Sequence, residues 1–294
     1  MNAVYRLMDA VLPFAFLRFT FMKNALLAIV LMTPLLSLMG TMTVNQRMAF
    51  FSDALGHSAL TGVGLGIVFG LKSDLAAMLL FGILWALLIS RIKQSGAASA
   101  DTVISVFASS GIALGVVILS RGGGFAKYSP LLIGDILAVM PSDIALLAAA
   151  LAAVIIVWAL IYNALLMTGI NISLARSRGI RTRGVEYIFS ALVAVCVMLA
   201  IRWVGVMLIN ALLILPAAAG RLLARSSRGH AIGSVLIGLA AGIVGLVASY
   251  YLDIASGAAI VLAAAGLYAL CLAVRSLTRN GWIIRSRQRG QTPG

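Results

Sequence analysis

The chain reads as an all-α polytopic membrane protein of about nine transmembrane helices. Composition, the spacing of apolar runs and the placement of basic residues predict this. Of 294 residues, 62% are hydrophobic and 10% charged, with a mean hydropathy of +1.10. A soluble domain is roughly 45–50% apolar and about 25% charged. No soluble fold of this length hides so much apolar surface, so lipid has to cover it.

A membrane-crossing helix needs about 20 mainly apolar residues. The qualifying runs are 24–45, 49–70, 74–90, 102–120, 143–168, 185–201, 203–220, 231–251 and 255–274. Two short runs flank Arg202, and merging them into one broken helix gives eight spans. With nine spans and the N-terminus outside, fifteen of the 22 Lys and Arg residues fall on the inner side. Merging would put the 176–183 cluster opposite the 221–228 cluster and the tail. The bias of cytoplasmic loops toward Lys and Arg therefore favours nine, with the C-terminus cytoplasmic. Residues 1–23 read as an interfacial helix, 24–275 as the transmembrane domain and 276–294 as a basic cytoplasmic tail.

The net charge of +14 is split among these loop clusters, which marks topology rather than a nucleic-acid surface. Cys196 and Cys271 lie in apolar runs with no C-x-x-C, so neither a disulfide framework nor a thiolate metal site is expected. Gly62, Gly66 and Gly70, and likewise Gly238 and Gly242, recur at the four-residue spacing that lets helices approach closely in lipid. The stretch 120–142, with Arg121-Gly-Gly-Gly124 and Leu132-Ile-Gly-Asp-Ile-Leu137, is too apolar for an open loop and too short to cross. It reads as a re-entrant segment, tolerated at depth only against protein or water.

Ionisable groups inside lipid cost at least about 2.5–3.5 kcal/mol near the centre, so each needs a reason. Asp53 and His57 stand four apart in the second span, one turn from each other on one helix face. They offer a carboxylate and an imidazole, ligand types that suit zinc, manganese and iron. A hydrogen bond between the pair, facing a neighbouring helix, explains them equally well. Asp135 after Gly134 either lines an outer gate or caps a turn. Asn24 and Asn210 read as interhelical hydrogen-bonding residues, Asp253 as a solvated turn, and His230 as solvated in a basic loop. Glu186 suits a helix N-terminus. The inner loop 171–184 carries Arg176, Arg178, Arg181 and Arg183, with Ala175 and Gly179 four apart on a short helical segment that suits docking. No phosphate loop, H-E-x-x-H or G-x-S-x-G occurs. The chain is not read as an enzyme, and any ATP hydrolysis belongs to another chain.

Three stretches then resemble a known family in the right order. They are Arg47-Met-Ala-Phe-Phe-Ser-Asp-Ala-Leu-Gly-His-Ser58, Ile133-Gly-Asp-Ile-Leu-Ala-Val139, and Val204-Gly205 followed by Ala211-Leu-Leu-Ile-Leu-Pro-Ala-Ala218. They are similar to the membrane permeases of bacterial ABC importers for zinc, manganese and iron, the zinc-uptake type foremost. The resemblance spans about Asn24 to Leu272. It implies a multi-pass protein of the bacterial inner membrane, paired with itself over two ABC ATPase subunits. A metal-binding protein would deliver the ion outside. The cargo would be a divalent metal, zinc ahead of manganese or iron, with no permanently bound cofactor. Asp53 and His57 would contact the metal in transit, Gly134 and Asp135 would belong to the outer gate, and 171–184 would be the ATPase-coupling segment. Thr61, Ala255, Ser173 and Ser109–Ser110 depart from residues common in the family. An ion-coupled secondary carrier is the rival reading, but it needs titratable relays, and few intramembrane carboxylates accompany Asp53.

Overall fold

The computed structural model describes residues 5, 6, 8, 15–121, 125–128 and 130–289, and every regular element among them is helical. After a 3-10 turn, Ala15–Arg18, come α1 (Thr20–Asn45), α2 (Phe51–Val68), α3 (Asp74–Ser95) and α4 (Ala100–Arg121). Short pieces follow: α5 (Phe125–Tyr128), α6 (Pro130–Ile133) and a 3-10 turn, Ile136–Ala138. Then come α7 (Pro141–Ile170), α8 (Ile172–Ser177), α9 (Thr182–Leu223), α10 (Ser227–Leu252) and α11 (Ser256–Arg289). Seven of these, α1, α3, α4, α7, α9, α10 and α11, are long and apolar enough to cross a membrane. About half of the interfacial helix expected over 1–23 lies outside the described residues; within the rest a 3-10 turn covers Ala15–Arg18 and α1 already begins at Thr20. Gly122 to Gly124 and residues 290–294 also lie outside them. The basic tail expected from 276 continues α11 as helix to Arg289.

The second expected span, α2, is the exception among the helices. Its 18 residues include Asp53, His57, two serines, Thr61 and four glycines. It packs against α3, α4 and α9, and all but a few of its side chains are buried. Small residues make this possible. Gly62 and Gly66 admit Met78 and Ala77 of α3, and Gly111 and Gly115 of α4 admit Ser58 and Leu60 of α2. Gly238 and Gly242 of α10 do the same for Thr33 and Ile29 of α1. Gly70, by contrast, has nothing within 4 Å; it follows α2 at φ 66° and serves the turn. Hydrogen bonds add to this: Thr61 donates to the Gly111 carbonyl between α2 and α4, and Ser90 pairs with Ser190 between α3 and α9. Such bonds average about 0.6 kcal/mol in membrane proteins.

The two short runs flanking Arg202 form one helical stretch, α9, of 42 residues with a break at Gly205. At 1.5 Å per residue it would be about 63 Å long if straight, twice a hydrocarbon core of about 30 Å. It is not straight. Lys93 at the end of α3 pairs with Glu186 at 2.8 Å, and Arg221 donates to the Val44 carbonyl at the end of α1. The two ends of α9 therefore lie at one end of the bundle, together with Arg47, Arg176 and Arg183. Arg202 lies at the opposite end beside Lys72, Asp74 and Tyr128. The chain reverses at Gly205, whose φ of 73° and ψ of 166° are open to glycine and strained for other residues.

The described part of the stretch after α4 packs back onto the bundle. Ile136 and Val139 are buried, and Asn24 of α1 donates to the Val139 carbonyl at 3.1 Å while accepting from the Tyr5 hydroxyl. Gly134, at φ 71°, lies directly on the α9 break: a Cβ there would overlap the backbone of Val204 and Gly205. Two glycines 71 positions apart thus form one backbone-to-backbone contact.

Replacing Gly205 with alanine should destabilise the protein by roughly 1–3 kcal/mol, the usual cost of holding a side chain in such a conformation. Gly134→Ala should cost at least as much, because it adds an overlap with backbone. Gly257→Ala, in a helix with nothing within 4 Å, is the control. Thermal melts in detergent should rank wild type and Gly257→Ala well above both other variants.

Candidate metal-transit site

The site is built on the first two turns of α2. Phe51, fully buried, seats the start of the helix. Asp53 lies in the first turn, where the positive end of the helix dipole favours a carboxylate. One turn on, His57 Nε2 is 3.4 Å from Asp53 Oδ1, so the expected i, i+4 pair is formed. The same Oδ1 accepts a 2.6 Å bond from Asn210 Nδ2, delivered by the second half of α9. His57 Nδ1 and Asn210 Oδ1 are buried with no hydrogen-bond partner. Three polar side chains thus converge, with an imidazole nitrogen and an amide oxygen still free to accept.

Other α2 positions nearby are buried, yet the Asp53 and His57 side chains are 37% and 28% exposed. Met207, one α9 turn before Asn210, is 69% exposed. The cluster therefore stays partly open at the surface of the chain. Gly56 presses on Val206, the residue after the α9 break, so the reversal at Gly205 also sets where α2 stands. Among the described residues no three His, Cys, Asp or Glu side chains group to hold a metal. Two such ligands with an amide suit an ion that binds and leaves rather than a closed structural site.

The remaining expected residues are spread over both ends. Gly134 meets Val204 and Gly205, and the Asp135 carboxylate accepts from the Leu137 amide at 2.9 Å, which is the turn cap. At the basic end, Asn171 caps α8 by accepting from the Leu174 amide. Ala175 is buried, and Arg176, Arg178, Arg181 and Arg183 are exposed. Gly179 does not share the helix with Ala175. The helix ends at Ser177, and Gly179, at φ 77°, forms the turn into α9. His230 is also not solvated: it is 5% exposed, with Nε2 2.8 Å from the Ala217 carbonyl, because α10 begins at Ser227 and carries it inward. Two features escape sequence reading. Asn210 joins the site from another helix, and Ile170, Ile172 and Leu174 are 74%, 53% and 47% exposed around α8.

A family description, the ABC 3 transport family, matches residues 18–275. The manganese import system permease protein ScaB of Streptococcus parasanguinis is 33% identical over 248 residues, 84% of this chain and 88% of that one. The high-affinity zinc uptake system membrane protein ZnuB of Haemophilus influenzae is 31% identical over 257 residues, covering 86% and 97%. Among solved structures, PsaBC from Streptococcus pneumoniae in complex with Fab superposes with a TM-score of 0.76 at 28% identity, covering 92% of this chain and 95% of that one. With the family match running through nearly every helix of the bundle, the chain belongs to the ABC 3 transport family.

Proposed function

We propose that this chain is the membrane-spanning permease subunit of an ATP-driven importer that carries a divalent metal ion, zinc or manganese, into a bacterial cytoplasm. The observation that carries the reading is the Asp53–His57–Asn210 cluster, partly open on the surface of an apolar bundle. A carboxylate facing lipid there costs at least about 2.5–3.5 kcal/mol. A second copy of the chain covers that face and turns it into a central path lined by two such clusters. One carboxylate, one imidazole and one amide per chain, with no thiolate, suit zinc and manganese alike. They replace part of the ion's hydration shell without enclosing it. Relatives named for each metal match at nearly the same identity.

The chain crosses nine times in this reading, with α2 and both halves of α9 each counted as a pass and the N-terminus outside. Fifteen of the 22 basic residues then lie inside, and the gathering of Arg47, Lys93, Arg176, Arg183 and Arg221 at one end supports it. That end is cytoplasmic and carries α8, whose exposed Ile172 and Leu174 present an apolar patch to water. A pair of ABC ATPase subunits docks there, with the four arginines around the patch. The opposite end, with Gly134 and Asp135 packed on the α9 break, receives the metal from a delivery protein and forms the outer gate.

Asp53→Ala and His57→Ala should each abolish uptake of radiolabelled zinc and manganese while the ATPase still co-purifies. Asn210→Ala should lower uptake about 10- to 100-fold, as for groups that orient a metal ligand. Unchanged uptake in all three would remove the site assignment. Competition between the two ions in the same assay reads which one the path prefers.

Leu174→Asp should do the reverse, releasing the ATPase from the purified complex while the chain stays folded in the membrane. Uptake should survive collapse of the proton gradient but not depletion of ATP. The opposite pattern would point to an ion-coupled carrier.

A further inference from the structure

A trough runs along the outside of the bundle between α7 and α10, away from the Asp53 cluster. Both helices pack on α1, but they do not pack closely on one another. The gap left between them is a cleft of about 630 Å³. Its walls are Trp158 and Tyr162 of α7, with ring centroids 4.5 Å apart, and Ile232 and Leu236 of α10, each 61% exposed. Leu38 of α1 forms the floor.

Toward the basic end the lining changes character. The same two helices frame a second cleft of about 350 Å³, where Arg221 and Arg225 stand beside Ser226, Ser227 and the end of α7. Arg228 reaches the lower edge of the apolar part. Among the described residues neither carboxylate ion pair involves these three arginines; the pairs are His57–Asp53 and Lys93–Glu186. The N-terminus of α10, a helix of 26 residues, adds partial positive charge at the same place. The larger cleft is therefore apolar apart from Asn163 and Arg228, and the smaller one, framed by the same two helices, is cationic; together they form the trough.

We propose that this trough binds an anionic phospholipid of the leaflet at the basic end. An acyl chain lies along Trp158 and Leu236, and the phosphate sits among Arg221, Arg225 and Arg228. The polarity gradient argues for this occupant over others. A free phosphate would match the arginines but leave the apolar cleft uncovered. A helix of a second copy would fill the apolar part and leave the cations unmatched. Basic pockets between transmembrane helices are a recurrent way to hold acidic lipid headgroups. The proposal concerns a different face from the metal site and does not depend on the transport reading.

The test is native mass spectrometry of the full-length chain, purified with its partners in mild detergent and equilibrated with phosphatidylglycerol or phosphatidylcholine. Wild type should retain one phosphatidylglycerol per chain in clear preference to phosphatidylcholine. Arg225→Gln and Arg228→Gln should each lower that preference about fivefold, the contribution of one basic side chain at an anionic surface. Leu236→Trp, which fills the cleft, should reduce retention of both lipids. Arg91→Gln, an equal loss of charge two residues before Lys93 on α3 and outside both clefts, should change neither. Equal retention of the two lipids by wild type would overturn the proposal. So would an Arg91→Gln effect as large as the trough variants show, or displacement of the lipid by millimolar inorganic phosphate.

Discussion

The contact between the backbones of Gly134 and Gly205 is the constraint on which the rest of the bundle hangs. A helical stretch long enough to cross a membrane twice returns on itself only where one residue leaves helical geometry, and Gly205 is that residue. The freed backbone at such a break needs protein cover in a membrane, and the segment between α4 and α7 supplies it by laying Gly134 on it. Because the chain reverses there, both ends of α9 arrive at the basic end, one fastened through Glu186 and the other through Arg221. Val206, the next residue, sits on Gly56 and so sets the position of the helix that carries Asp53 and His57.

Around this reversal the forces are individually small. Lipid is as apolar as leucine, so burial of apolar side chains does little to draw these helices together; close van der Waals packing and interhelical hydrogen bonds do more. That is why glycine, serine and threonine crowd the contacts of α2 with α3 and α4, and of α10 with α1. The polar cluster is different in kind. Asp53, His57 and Asn210 satisfy one another only in part, leaving two buried atoms without partners. The carboxylate is held from two helices at once, by His57 of its own helix and Asn210 of α9.

Much of this was legible in the sequence, for physical reasons. Long apolar runs report their own transfer to lipid, so most spans can be read residue by residue. The Asp53–His57 pair is visible because four-residue spacing is a property of a single helix. Asn210 was not legible as a site residue, since its partner is 157 positions away and only the reversal at Gly205 joins them. The burial of His230 is not legible because a basic loop and the first turn of a helix have the same composition. Gly179 misled in the opposite way: its spacing from Ala175 suggests a shared helix face, but a left-handed turn intervenes. The loop arginines stand out in the sequence, while the exposed Ile172 and Leu174 beside them look like an ordinary apolar run.

The polarity of α2 has a consequence for how the protein comes into being. A segment with a carboxylate, an imidazole and four glycines in 18 residues is a poor substrate for partitioning alone from the translocon into lipid. Its favourable surroundings are α3, α4 and both halves of α9, all synthesised after it. The helix that carries Asp53 and His57 is therefore the one whose insertion depends on waiting for later neighbours. The polar cluster and the order of biogenesis are set by the same few residues.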